Sequence, residues 1–271
     1  MPLTEFQRGV LEVIVGNRSE ESHFAGGLVL NASDASARYS NDFDMFHDAV
    51  RDLDEHSRRD VAALESAGYE VEKILTYGDW TQPTSFRKAM VRRGGGEVAL
   101  DWARDSAFRF FPIVADPQLG WRLHLFDMAL NKALALSART ETRDYIDILE
   151  LARIYPLEAV VWAACGKDEG FSPLFLLKMM RRFAKIDPLK VEEIRARELN
   201  PIAMKEEWIT ICDKAEEEIL HLANTQIDMP IGVAFVNDQG EPGWIGADPT
   251  LRIHHGSLRG CWPVMRVGED R

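Results

Sequence analysis

Two aspartates that are two positions apart, Asp42 and Asp44, lie in a short segment in which polar and apolar residues alternate. Over residues 41–47 this alternation predicts a β-strand with one buried face, because successive side chains of a strand point to opposite sides. Both carboxylates would then point the same way, while Phe43 and Met45 would point into the core. Neighbouring carboxylates resist joint ionisation unless a cation lies between them, and Mg²⁺ prefers a few carboxylates together with water and phosphate oxygens. The segment therefore predicts a metal-binding strand, with solvated aspartates on an exposed sheet face as the alternative.

A third carboxylate, Asp101, lies in another apolar segment, which predicts a strand at residues 97–102. If the two strands are neighbours, Asp101 joins Asp42 and Asp44 at one spot. Three carboxylates can hold two Mg²⁺ ions, with Mn²⁺ as an alternative metal. Two such ions stabilise both the attacking and the leaving oxygen of a phosphoryl or nucleotidyl transfer.

Two glycines, Gly26 and Gly27, open a short predicted helix at residues 25–32, upstream of the aspartate strand. Glycine lets a phosphate come close to backbone N–H groups, and a helix N-terminus favours an anion. Arg38 and Ser40 follow this helix and lead into the aspartate strand. This arrangement predicts a nucleotide-binding segment, and a simple turn at the two glycines is the alternative.

The order of predicted elements divides the chain into three segments. Residues 1–122 alternate between helix and strand patterns, residues 123–228 are mostly helical, and residues 229–271 are irregular with β-like pieces such as 232–236. In the first segment, helices are predicted at 4–16, 25–32 and 49–67, and strands at 41–47, 70–77, 85–92, 97–102 and 121–125. In the second segment, helices are predicted near 126–139, 143–155, 157–165, 173–185, 188–198 and 202–224. This pattern predicts an α+β fold, in which a mixed sheet with helices is followed by a mainly helical lobe.

Composition argues against several classes of protein. The formal net charge of −12 argues against general binding of duplex DNA, since such proteins gain affinity by neutralising phosphates. No run approaches the roughly 20 apolar residues of a membrane-spanning helix, and the N-terminus lacks the pattern of a signal peptide. The cysteines, Cys165, Cys212 and Cys261, are few and widely spaced. They argue against a disulfide framework and for a reducing, cytoplasmic location.

Four basic residues crowd the predicted hairpin before the Asp101 strand, and the glycines at 94–96 predict its turn. They are Arg87, Lys88, Arg92 and Arg93. These side chains could bind an acceptor RNA or the nucleotide. A charged hairpin at the edge of a sheet also prevents edge-to-edge aggregation, and we favour this second interpretation.

Together these motifs resemble the DNA polymerase β-like nucleotidyltransferase superfamily. Within it, the chain is most similar to the AbiEii/AbiGii toxin family of bacterial abortive-infection and toxin–antitoxin systems. The first matching block runs from the paired glycines through residues 38–46 to Asp101. The second is the segment 127–134, which contains Lys132, and the third is Arg-Asp-Tyr-Ile-Asp-Ile at 143–148, which matches a downstream R-D-x-x-D helix. The resemblance covers about residues 20–155 and implies a nucleotidyltransferase-type sheet in the first segment.

The resemblance implies a role for each matching residue. Asp42 and Asp44 would bind magnesium together with the nucleotide phosphates. Asp101 would complete the metal site and accept the proton of the attacking hydroxyl. Lys132 would contact the triphosphate as a point charge, whereas a solvated helix lysine is the alternative. Asp144 would be a second functional acid.

Asp144 also has a structural alternative. Asp144 and Asp147 are three positions apart and therefore share one helix face. Asp144 would then cap the helix or form an ion pair with Arg139 or Arg143.

The implied reaction moves a nucleoside monophosphate from an NTP to a hydroxyl or phosphate of an acceptor and releases pyrophosphate. By resemblance, the acceptor would be tRNA or another cellular target, the protein a toxin, and its partner a cognate antitoxin. In such transfers, catalysis consists mainly of positioning and charge neutralisation.

In one respect the chain departs from the family pattern. A serine or threonine often stands beside or after the second glycine, whereas here Leu28 follows Gly27. Phosphate binding would then depend on backbone N–H groups together with Arg38, Ser40 and Lys132. The missing hydroxyl supports an alternative, a catalytically degenerate scaffold that binds nucleotide or regulates another protein. The presence of all three aspartates favours the enzyme.

Two other enzyme classes also use closely spaced aspartates. A glycosyltransferase usually has more than a hundred residues of nucleotide-binding domain before its D-x-D, and only about forty precede it here. A phosphatase with an aspartyl nucleophile would have a threonine where Phe46 stands. Both classes are therefore disfavoured.

Overall fold

The structure is a computed structural model that describes residues 3–31, 40, 42–74, 80–139, 141–183 and 199–264. The chain divides into two compact units. The first comprises Met1–Ala107 and Ile113–His124, and the second comprises Phe108–Pro112 and Leu125–Arg271. The predicted helix at 188–198, the site residue Arg38 and the strand residue Asn41 lie outside the described residues.

A seven-stranded mixed sheet forms the centre of the first unit, in the order β3-β4-β5-β2-β1-β8-β7. The strands are β1 (Ser22–Ala25), β2 (Asp42–His47), β3 (Glu70–Ile74), β4 (Phe86–Arg93), β5 (Gly96–Arg104), β7 (Val114–Asp116) and β8 (Gly120–Arg122). The pairs β2–β5 and β1–β8 are parallel, and the other neighbouring pairs are antiparallel. The predicted α+β fold is confirmed.

Three helices accompany this sheet: α1 (Glu5–Ile14), α2 (Gly26–Asn31) and α3 (Val50–Ser66). Helix α1 begins with a capping box, in which the Thr4 hydroxyl accepts from the Gln7 backbone N–H and the Gln7 side chain accepts from the Thr4 N–H. Both contacts satisfy donors that a helix start leaves without intrahelical partners. These helices agree with the predicted ones to within about two residues.

A buried polar network connects helix α3 to the sheet. Asp60 accepts hydrogen bonds from Arg18, from the Trp102 indole at 2.8 Å and from Asn17 at 2.9 Å. The side chains of Arg18 and Asp60 are fully buried. His47, at the end of β2, contacts the Ser22 hydroxyl at 3.0 Å. Burial, and then the charge of Arg18, lower the pKa of His47 to about 3, so this histidine is neutral at physiological pH.

The second unit is mainly helical and also contains two small sheets. Its helices are α4 (Leu125–Ala138), α5 (Thr142–Ala152), α6 (Leu157–Ala164), α7 (Pro173–Phe183) and α8 (Pro201–Thr225). Strands β9 (Ala234–Val236), β10 (Pro242–Gly243) and β11 (Arg252–His254) form one small sheet, and β6 (Phe108–Arg109) pairs with β12 (Ser257–Leu258) in the other. In the described ranges, no helix has the length and apolar character needed to cross a membrane. All three cysteines are free thiols, as predicted.

The sequence predictions differ from the structure at β8, at β1 and at the basic hairpin. The predicted strand at 121–125 is β8, which ends at Arg122, and Leu125 already begins α4. Strand β1 was not predicted. The interpretation of the basic hairpin as a charged sheet edge is wrong, because β4 lies between β3 and β5. Arg87 on this strand is buried in an ion pair with Asp54.

Candidate functional site

The central strands of the first unit bring three aspartates to one face of the sheet. Strands β2 and β5 run parallel, with Asp44 directly opposite Asp101 and with Asp42 opposite Ala99. All three aspartates are partly exposed, and their neighbours along each strand are buried on the opposite face. The fully buried neighbours include Phe43, Met45, Leu100 and Trp102. The alternation of polar and apolar residues predicted that one face of the strand is buried and that the aspartates lie on the other. The structure has this arrangement, because the apolar side chains pack into the core and leave the carboxylates on the opposite face.

Gly26 is the residue that allows the backbone to pass beside Asp44. Strand β1 pairs antiparallel with β2, so that Ala25 lies opposite Asp44 and Gly26 follows at the start of α2. The φ angle of Gly26 is +61°, and a Cβ atom there would lie 1.9 Å from Oδ2 of Asp44. Only glycine fits both the backbone conformation and this close approach. The sequence motif of glycines followed by aspartates thus corresponds to a direct contact.

The residue after the glycines points into the core, whereas the family pattern suggested a hydroxyl at this position that contributes to phosphate binding. Leu28 is fully buried, so this position faces the core. A hydroxyl at this position would be buried as well, and its absence removes no group from the exposed face of the sheet. The side chain of Asn31 in the same helix donates to the carbonyl of Gly27 at 2.6 Å.

Ser40 positions Asp42. Its hydroxyl donates to the backbone carbonyl of Asp42 at 2.8 Å and approaches Oδ1 of the same residue at 3.3 Å. The carbonyl of Ser40 accepts from the side chain of Gln7 at 2.8 Å. Ser40 is 1% exposed, and its described contacts support the aspartate strand from within. A direct contact of Ser40 with nucleotide remains a prediction.

Lys88 holds Asp101 from the neighbouring strand. In the antiparallel β4–β5 pair Lys88 lies opposite Asp101, and its Nζ is 2.9 Å from Oδ1 and 3.0 Å from Oδ2 of that carboxylate. The side chains of Lys88 and Asp101 are 31% and 16% exposed. From the sequence, Lys88 was considered only as one of four basic hairpin residues that could bind an acceptor RNA or the nucleotide, and its pairing with Asp101 was not predicted. The turn at Gly94 and Gly95 contained the necessary signal, because counting outward from it along both strands pairs Lys88 with Asp101.

The backbone positions of the three aspartates fit a metal site, but the side-chain arrangement is incomplete. Over the described residues, no group of three or more His, Cys, Asp or Glu side chains is close enough together to hold a metal ion. Both oxygens of Asp101 contact the ammonium of Lys88. Asp42 and Asp44 share one face of one strand and offer the pair of hard oxygen ligands that Mg²⁺ prefers. Asp101 can bind a metal through both oxygens only when it leaves Lys88.

The second unit contains the other predicted site residues in a cluster of ion pairs. Nζ of Lys132, on α4, is 2.9 Å from Oδ1 of Asp144 and 2.7 Å from Oδ2 of Asp147, both on α5. Nε of Arg139 is 2.7 Å from Oδ2 of Asp144. The alternative interpretation of Asp144, an ion pair with Arg139, therefore describes a contact that is present. Roles of Lys132 and Asp144 in nucleotide binding remain predictions.

The charges within the cluster shift the pKa values of Lys132 and Asp144. Burial alone would lower the pKa of Lys132, but the charges of Asp147 and Asp144 outweigh it, so this pKa lies above its ordinary value. Burial would likewise raise the pKa of Asp144, and the nearby Lys132 and Arg139 outweigh it and bring the pKa below its usual range. Lys132 and Asp144 are therefore both charged at neutral pH, and each charge stabilises the other.

No family model and no curated protein matches this chain. Among solved structures, JHP933 from Helicobacter pylori is 17% identical, with a TM-score of 0.51 over 82% of this chain and 97% of that chain. A candidate nucleotidyltransferase from H. pylori is also 17% identical, with a TM-score of 0.50 over 81% and 99% of the two chains. MenT4, a nucleotidyltransferase toxin from Mycobacterium tuberculosis, is 14% identical, with a TM-score of 0.43 over 76% and 91%, and no conclusion depends on it. The chain therefore shares its fold with the two Helicobacter proteins.

Proposed function

We propose that this chain is a metal-dependent nucleotidyltransferase. The observation that carries the proposal is the register of β2 and β5, which places Asp44 opposite Asp101 and puts Asp42 on the same face. The close approach of Gly26 to Asp44 ties the glycine motif to this face. The fold shared with a candidate nucleotidyltransferase from H. pylori agrees with this function.

In the proposed reaction, the acceptor oxygen forms a bond to the α-phosphorus of an NTP, and the bond to the β-phosphate oxygen breaks, so that pyrophosphate leaves. Asp42 and Asp44 would hold Mg²⁺, or Mn²⁺ in its place. Bound there, the metal would neutralise charge on the phosphate oxygens. Asp101 would accept the proton of the attacking hydroxyl. Ser40 fixes Asp42 through two contacts, and Gly26 leaves room for the carboxylate of Asp44.

The finer parts of the proposal come from the sequence resemblance. They are membership of the AbiEii/AbiGii-like family, an RNA or tRNA acceptor, a toxin role with a cognate antitoxin, and a cytoplasmic location. Expression in a bacterial host tests the toxin role. Growth should stop on induction of the natural chain and continue on induction of Asp42→Asn, and growth arrest by both would show that the effect is unrelated to this site.

The central experiment is transfer of label. The purified protein is incubated with each α-³²P-labelled NTP, Mg²⁺ and total RNA, beside Asp42→Asn and Asp44→Asn variants of the same shape. Label that appears on RNA or protein and is lost in both variants would establish the reaction and identify the donor. Equal label in the variants, or none with any NTP in the presence of Mg²⁺ or Mn²⁺, would contradict the proposal.

One observation favours a second candidate, a nucleotide-binding or regulatory protein on a degenerate scaffold. Lys88 forms an ion pair with both oxygens of Asp101, as would suit a sheet in which a lysine has taken the place of a catalytic ion. This candidate predicts nucleotide binding that is independent of Mg²⁺ and equal in Asp42→Asn. The enzyme predicts binding that requires Mg²⁺ and is weakened in that variant.

A further inference from the structure

We propose that Lys88 is a built-in counter-cation that Asp101 must release before this carboxylate can bind a divalent metal through both of its oxygens. The inference rests on the proposed function, because it concerns the metal that the enzyme would use. It assigns a positioning role to a residue of β4, one strand away from the strand that carries Asp42 and Asp44. Lys88 would thereby set the metal affinity of the site.

The geometry makes Lys88 and a bound metal competitors for Asp101. The ammonium of Lys88 lies within 3.0 Å of both oxygens of Asp101, so it occupies the side of the carboxylate where a metal would bind both oxygens. A dication bound to the same oxygens would lie next to the lysine charge. Because like charges at such short range repel strongly, the metal and the ammonium compete for Asp101.

Lys88 can be displaced from Asp101 reversibly. Lys88 is 31% exposed and Asp101 is 16% exposed, so solvent reaches the pair. An ion pair of this kind contributes little net stability, and the flexible four-carbon chain of a lysine lets the ammonium move to another partner. A metal with twice the charge can therefore displace it at moderate concentration.

Repulsion between Asp44 and Asp101 explains why a lysine lies next to Asp101. Asp44 and Asp101 are directly opposite each other on parallel strands, and two such carboxylates raise each other's energy when both are charged. The charge of Lys88 offsets this repulsion when no metal is bound. The lysine therefore stabilises the metal-free sheet at the expense of metal affinity.

The test is a titration with Mn²⁺ alone, in which free Mn²⁺ is measured by electron paramagnetic resonance. We expect Lys88→Met to bind Mn²⁺ about tenfold more tightly than the natural chain, the scale produced by losing a half-buried ion pair and a nearby like charge. Lys88→Arg should bind no more tightly than the natural chain, because a guanidinium keeps the charge and pairs with a carboxylate through two parallel hydrogen bonds.

Arg92→Met is the matched control. Arg92 lies four residues further along β4, opposite Glu97, and forms ion pairs with Glu72 and Glu97. This variant loses the same charge from the same strand about 13 Å from Asp101, which is beyond the screening length of about 8 Å at physiological salt. We expect its Mn²⁺ affinity to stay within about twofold of the natural value.

The outcomes separate this inference from the proposed function. Tighter binding in Lys88→Met alone would support the role of Lys88, whether or not label transfer is observed. If the natural chain binds Mn²⁺, Asp42→Asn does not, and Lys88→Met binds Mn²⁺ no more tightly than the natural chain, the inference is wrong while the metal site stands. If neither the natural chain nor Lys88→Met binds Mn²⁺, the inference is also wrong, and the label-transfer experiment alone decides the proposed function.

Discussion

The substitution Gly26→Ala tests whether the glycine motif exists to make room for Asp44. The added Cβ would lie 1.9 Å from Oδ2 and 3.0 Å from Cβ of Asp44, whereas ordinary contacts begin at 3.4 Å. The oxygen must therefore move by about 1.5 Å (3.4 minus 1.9), and rotation of the side chain cannot relieve the contact with Cβ. Overpacking of this kind costs about 1–3 kcal/mol. A positive φ of +61° adds about 1–2 kcal/mol for a residue other than glycine.

The matched control is Gly94→Ala. Gly94 has a similar φ of +58°, and a Cβ there would meet nothing within 4 Å. It should therefore lose only the backbone contribution of about 1–2 kcal/mol. Urea unfolding followed by tryptophan fluorescence compares the two variants, and Mn²⁺ binding measures the displacement of Asp44. If Gly26→Ala is destabilised no more than Gly94→Ala and binds Mn²⁺ as the natural chain does, the close approach has no functional meaning.

Three further predictions concern the buried charges. His47 has a folded-state pKa of about 3, against 6.5 for an ordinary histidine. The unfolded chain therefore binds an extra proton between these values, and stability should fall as pH drops below about 6.5, by up to about 1.4 kcal/mol per pH unit. His47→Gln should flatten this slope in urea unfolding at a series of pH values, and an unchanged slope would contradict the buried neutral state. Asp60→Asn leaves the buried Arg18 charge without its partner and should cost about 3–5 kcal/mol of stability. The control Glu55→Gln, in an exposed pair, should cost under about 1 kcal/mol. Equal losses in the two variants would show that the buried pair is unimportant. Lys132→Met should also cost about 3–5 kcal/mol of stability. Adding Asp147→Asn to this variant should restore part of the loss in thermal unfolding. No recovery would mean that the ion pair is not the source of the loss.

The sequence was sufficient to predict the aspartate face because its physical cause is local. Alternation in residues 42–46 sets which face of β2 is buried, and the apolar residues around Asp101 do the same for β5. From the sequence, only the consequence of the two strands being neighbours could be predicted. The whole sheet determines that the two strands are parallel neighbours. It also determines the register that puts Asp44 opposite Asp101.

Strand β1 escaped prediction for the opposite reason. All four of its residues are buried, because β1 lies between β2 and β8 inside the sheet. A strand that is buried on both faces shows no alternation of polar and apolar residues, and Ser22 and His23 have neither the apolar character nor the branching that marks such strands. The polar group of Ser22 is tolerated because Arg18 and His47 form hydrogen bonds with its hydroxyl.

Lys132 and Lys88 differ in how easily a ligand can displace them from their carboxylate partners. Nζ of Lys132 contacts two carboxylates whose side chains are 0–2% exposed, and removing a buried charge from such partners leaves an uncompensated charge in a medium of low polarity. Lys88 contacts one carboxylate, and solvent reaches both members of that pair. A triphosphate that recruited Lys132 would have to overcome both of its ion pairs, whereas a metal ion at the aspartate face would have to displace a single half-buried one. The arrangement therefore favours Lys132 as a residue that holds α4 against α5, and Lys88 as the residue whose movement accompanies ligand binding.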